Sequence, residues 1–91
     1  TRAHSNLARL YLTQGRQEAA RAQFELAIES EANPAIRAYR QGLMLVQLYP
    51  QERGKLLEAR AHFAEALRLQ PRLALAIDAL EQVDRSLDRL P

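Results

Sequence analysis

The chain has no cysteine and no tryptophan, and aromatic residues make up only 5% of its 91 residues. Without cysteine there are no disulfides and no thiolate metal sites, an absence that leaves cytoplasm and periplasm both open. Ala and Leu dominate the apolar 47%; both favour helices and leave strands poorly supplied, so an all-α chain is expected. No stretch reaches the roughly 20 consecutive apolar residues of a membrane span, and no basic, apolar, then small-residue opening resembles a signal peptide. A soluble chain without membrane insertion is the expectation. Lysine is nearly absent too, with Lys55 the only one among thirteen basic residues, and this Arg-rich, Ala-rich usage suggests a GC-rich bacterial genome. Against eleven acidic residues the formal charge is +2, too small by itself to imply nucleic-acid or membrane binding. At this length one small domain with a modest folding margin is expected. It opens at Thr1, already inside helical periodicity, as a piece of something longer would.

What is present is a repeat. "GRQEAARAQFELAIESEANP" begins at Gly15, and "GKLLEARAHFAEALRLQP" begins thirty-nine residues later at Gly54. Gly15, Ala20, Phe24 and Ala27 return as Gly54, Ala59, Phe63 and Ala66 at identical offsets. A generic helical bundle shows the same periodicity helix by helix but needs no fixed period between helices, so the recurrence argues for a repeat architecture.

Five helices are expected. Residues 3–14 place Ala3, Leu7, Ala8, Leu10 and Tyr11 at helical spacing, with Gly15 where a left-handed cap would sit. Residues 17–31 line up Ala20, Phe24, Ala27 and Ile28 on one face. Asn33-Pro34 has the chemistry of a helix start, and the helix it opens runs to about Tyr49 with an apolar second half, as the middle of the structure should. A fourth helix covers 54–70. A fifth starts at Pro71, with Leu73, Ile77, Leu80, Val83, Leu87 and Leu90 as an apolar stripe opposite a charged face.

These residues resemble the tetratricopeptide repeat, a pair of antiparallel helices of 34 residues. Leu7, Ala8, Tyr11, Gly15, Ala20, Phe24 and Ala27 occupy its signature positions, while His4 stands where the family usually has Trp and Pro34 comes two residues late. Gly54, Ala59, Phe63, Ala66 and Pro71 fit a second copy, whose first helix fits if Gly42 and Leu45 take the roles of Ala8 and Tyr11. That alignment leaves about five extra residues within "QLYPQERG", expected as an extra turn on the third helix or a bulged loop. The resemblance implies a right-handed superhelix in a single domain: residues 1–34 as one repeat, 35–71 as the next, and 72–91 as a capping helix.

It also implies a concave groove lined by the first helix of each repeat, with a protein or peptide as the usual partner. Carried over by position, the groove holds Arg2, Ser5, Asn6, Arg9, Leu12 and Thr13, then Ile36, Tyr39, Arg40, Leu43, Val46 and Gln47, then Leu75, Asp78 and Gln82. Arg9, Arg40 and Asn6 have the chemistry to grip a carboxylate or acidic segment, and Tyr39 and Leu43 that to hold an apolar side chain beside it.

Catalysis is not indicated. His4 and His62 sit on different helices without Cys or a clear carboxylate partner by spacing, so neither a metal site nor a triad takes shape, and no cofactor is expected. The expected burial is partial for His4 and slight for His62. Around Lys55 the phosphate-loop pattern fails, with Tyr49 in place of its first Gly and Leu56 in place of Ser or Thr. A second stripe, Ala19, Ala22 and Leu26, faces outward on the second helix where Glu58, Ala61 and Glu65 stand on the fourth. The reading is a non-enzymatic scaffold; the alternative is a spacer or self-assembling section of a longer solenoid, and a nucleic-acid-binding helical repeat is a distant third.

Overall fold

The computed structural model describes residues 2–91, with side chains from residue 7 onward. Among them the chain is all α: α1 (Arg2–Thr13), α2 (Gln17–Glu29), α3 (Pro34–Leu48), α4 (Arg53–Leu69) and α5 (Ala74–Arg89). Each helix packs on the next, and α3 also touches α5, which makes α3 the centre of the stack.

Local chemistry sets the boundaries. Gly15 takes φ +74°, a left-handed conformation that Gly adopts without the Cβ penalty. Its amide donates to the Leu12 carbonyl at 3.0 Å and that of Arg16 to the Tyr11 carbonyl at 2.8 Å, the paired bonds of a Schellman cap. Asn33 opens α3, its side chain accepting from the amides of Ala35 at 2.9 Å and Ile36 at 3.4 Å, with Pro34 in the first turn. The helix closes at Leu48, one residue short of the expected end, because Tyr49 precedes Pro50 and the proline ring disfavours the α region there.

At α5 the expected start at Pro71 is corrected to Ala74. Pro71 and Arg72 form a turn, and Leu73 stays extended at the N-cap while its side chain is buried against Ala35, Ala38, Ala66 and Ala76. The stripe shifts with it. Ile77 is off the packed face at 38% exposed, and Ala76 fills that place.

Three apolar clusters run along the stack. Ala8, Ala20, Phe24 and Leu48 form the first, with Met44 of α3 packed against it. Ala35, Ala38, Ala66, Leu73 and Ala76 join the start of α3 to the end of α4 and the start of α5. Leu45, Leu56, Ala59, Phe63 and Val83 fill the other end, with Leu87 and Leu90 against them. The expected packing residues Ala8, Ala20, Phe24, Ala27, Gly42, Leu45, Ala59, Phe63 and Ala66 are buried, and Leu7 and Tyr11 half-buried.

Two expected packing positions do other work, and most of the extra residues lie in α4, not in α3 or the loop where they were expected. Gly54 lies in the exposed first turn of α4 with open space around it, so it packs against nothing, and Pro71 sits exposed in its turn. Ala8 and Ala20 are twelve residues apart, Gly42 and Ala59 seventeen. Of the five added residues, three lengthen α4, which begins six residues before Ala59 where α2 begins three before Ala20. One lengthens α3 and one the loop. The added residues Arg53, Gly54 and Lys55 precede Leu56, which takes the register of Gln17 at the start of α2 and is buried in the core.

Candidate functional site

α1, α3 and α5 are the helices whose outer faces can form a common surface, and the register of each decides which side chains reach it. The buried set Ala35, Ala38 and Leu45 of α3 recurs in α5 as Leu73, Ala76 and Val83, each thirty-eight residues on. By that register Ile77, Asp78 and Glu81 stand where α3 has Tyr39, Arg40 and Leu43. Leu75 and Gln82, expected beside Asp78, take the register of Arg37 and Met44, one position from the one the sequence alignment gave them. The sequence alignment missed this because Pro71, which anchored it, lies in the turn before α5 and not at its start.

Tyr39 is at the centre. It is half-buried, its ring 5.9 Å from that of Phe63 in a tilted pair, and it packs on both α3 clusters. Burial raises the pKa of its phenol, the charges of Arg9 and Arg40 pull it down, and Asp78 pushes it up. One hydroxyl thus feels charges from α1, α3 and α5 together. Arg40 is half-buried beside it, with its Nε shielded from water.

Of the remaining candidates, Arg9, Thr13 and Gln47 are exposed, and Leu43 is half-buried. Thr13 turns its hydroxyl back to the Arg9 carbonyl at 3.0 Å, satisfying its own helix. Leu12, Ile36 and Val46 are half-buried and pack on the core clusters, dividing their surface between core and groove. The side chains of Arg2, Ser5, Asn6 and His4 lie outside the described residues. His62 is half-buried where a surface position was expected, and the described residues include no group of His, Cys, Asp and Glu suited to a metal ion.

Two surface depressions lie away from this face. One of about 430 Å³ is lined by Gln17, Glu18, Arg21, Ala22, Glu25 and Tyr49, where Arg21 donates to the Tyr49 hydroxyl at 3.0 Å and pairs with Glu25 at 3.1 Å. The other, about 350 Å³, lies between Pro50, Gln51 and the end of α5. Both are open hollows, and neither includes a residue of the expected groove.

A family model described as tetratricopeptide repeat matches residues 1–34. Residues 1–34 thus carry a tetratricopeptide repeat. The all-α helical-repeat fold agrees, and tetratricopeptide repeats are protein-interaction modules, typically scaffolds without catalysis. No curated protein and no solved structure matches the chain. Among the described residues, no helix is long and apolar enough to cross a membrane.

Proposed function

We propose that the chain is a non-enzymatic scaffold holding a protein or peptide segment in the groove of α1, α3 and α5. Arg9 and Arg40 orient an acidic group of the partner, and Tyr39 and Leu43 supply apolar contact. The observation that carries this reading is Tyr39, a half-buried aromatic reached by the charges of three helices at once. Guanidinium groups pair carboxylates bidentately, and an aromatic beside them is a common anchor of interfaces.

The test is affinity capture from a lysate, with and without nuclease, comparing the wild type with the Arg9→Glu, Arg40→Glu variant at equal helicity. A protein held by the wild type and lost by the variant supports the groove. Equal capture by both overturns it, and a nuclease-sensitive catch would turn the reading toward nucleic acid.

A second reading, self-association, draws on Leu10. It is 50% exposed, whereas Met44, its counterpart thirty-four residues on, packs against the first cluster. Sedimentation equilibrium of the wild type and Leu10→Glu decides it: dimers lost in the variant support self-association, and monomers throughout remove it.

A further inference from the structure

The groove is not uniformly basic. Arg9 and Arg40 stand at its α1 and α3 side, whereas Asp78 and Glu81 stand on α5, both exposed and in the register of Arg40 and Leu43. Among the described residues Arg9, Asp78 and Glu81 make no ion pair; the acids of α5 that are already engaged include Asp84, held by Arg60 at 2.6 Å. Arg85 lies one turn beyond Glu81, level with Gln47 and away from the Tyr39 end. Charges of opposite sign thus flank a half-buried apolar centre.

We infer that the partner is a zwitterionic segment: a carboxylate over Arg9 and Arg40, an apolar side chain over Tyr39 and Leu43, and a Lys or Arg over Asp78 and Glu81. The inference rests on the groove reading and deepens it, since a wholly acidic segment would set its far end against Asp78 and Glu81, and like charges across an interface disfavour the wrong partner. Packed helices stand about 8–10 Å apart and an extended chain spans about 3.3 Å per residue, so acid and base are separated by about three positions in the segment. Only one placement satisfies both ends, so the charge order also sets the direction in which the chain lies.

The experiment is selection of a randomised phage-displayed peptide library on the 91-residue chain, run in parallel on Asp78→Lys, Glu81→Lys and on Arg9→Glu, Arg40→Glu. Wild type should enrich peptides with an acid and a base about three positions apart around an apolar residue. The Asp78→Lys, Glu81→Lys variant should keep the acid and lose the base, and the zwitterionic peptides should bind it up to about fivefold more weakly for each exposed pair removed. Enrichment of acidic and apolar residues alone, unchanged by the α5 variant but lost in the Arg9→Glu, Arg40→Glu variant, overturns this inference and leaves the groove reading standing. Enrichment that ignores both variants, or none at all, overturns both.

Discussion

Gly42 of α3 lies so close to Phe63 of α4 that a Cβ on residue 42 would stand 2.6 Å from the Phe63 ring. The Ala59 carbonyl oxygen, one turn earlier on α4, would be 3.0 Å away. Neither the buried ring nor the backbone has room to yield, so this crossing depends on the absence of a side chain. Gly42→Ala would return roughly 1 kcal/mol of helix propensity, against an overpacking cost of about 1–3 kcal/mol. With contacts this short the upper part of that range applies, and denaturant unfolding should show a net loss of stability with near-native helicity in circular dichroism.

The other glycines should respond differently. Gly54 occupies the first turn of α4 with nothing near an added Cβ, so Gly54→Ala should stabilise by roughly 0.5–1 kcal/mol through propensity and reduced unfolded-state entropy. Gly15→Ala also meets open space, but its φ of +74° is strained for any L side chain and should cost about 1–2 kcal/mol. Chemical denaturation of the three variants side by side checks the order: Gly54→Ala above wild type, Gly15→Ala and Gly42→Ala below.

The contrast also shows what the sequence carried. Spacing placed Ala20, Phe24, Ala59 and Phe63 on packed faces because small and aromatic residues at helical intervals have few other uses, and Gly15 and Asn33 marked helix ends through backbone chemistry local to each. Gly54 misled because an identical offset from Ala59 suggested the role of Gly15, while the turn added to α4 moved the loop upstream of it. On α3 the helix register was legible, since it follows from Asn33-Pro34. On α5 it slipped by one residue, since only the burial of Leu73 and Ala76 fixes that phase and burial is a tertiary property. The same slip left Glu81 out of the expected set, although Asp78 was in it.

Tyr39 predicts a pH dependence of stability. Burial raises its pKa from the usual 10.0, so between the unfolded and folded values the unfolded chain has released a proton that the native state keeps. Stability therefore falls as pH climbs through that window and is intact below it, the sign linkage requires when the native state binds more protons. Thermal melts stepped through the alkaline range should show the loss beginning near pH 10, and Tyr39→Phe should weaken it. Asp78→Asn removes a charge that raises the pKa, so it should move the phenol titration lower, whereas Arg9→Gln should move it higher. Titration of ring-labelled tyrosine by nuclear magnetic resonance separates Tyr39 from Tyr11 and Tyr49; a Tyr39 pKa indifferent to both substitutions would mean that the three helices do not share this surface.

Leu56 and Leu57 are chemically identical neighbours just after the residues added to α4, and they test its phase. Leu56 is fully buried at 0% exposure among Leu45, Phe63 and Val83, whereas Leu57 is 51% exposed. Truncating a buried leucine removes its transfer energy and leaves a cavity, so Leu56→Ala should cost about 2–5 kcal/mol. Leu57→Ala should stay within about 0.5 kcal/mol of wild type, because a surface truncation leaves no void and Ala is at least as good a helix former. In a domain of this size each kcal/mol moves the melting temperature by about 4–8 °C, so the two variants should differ by at least about 6 °C. Equal losses at both positions would mean that the start of α4 is not held in this register.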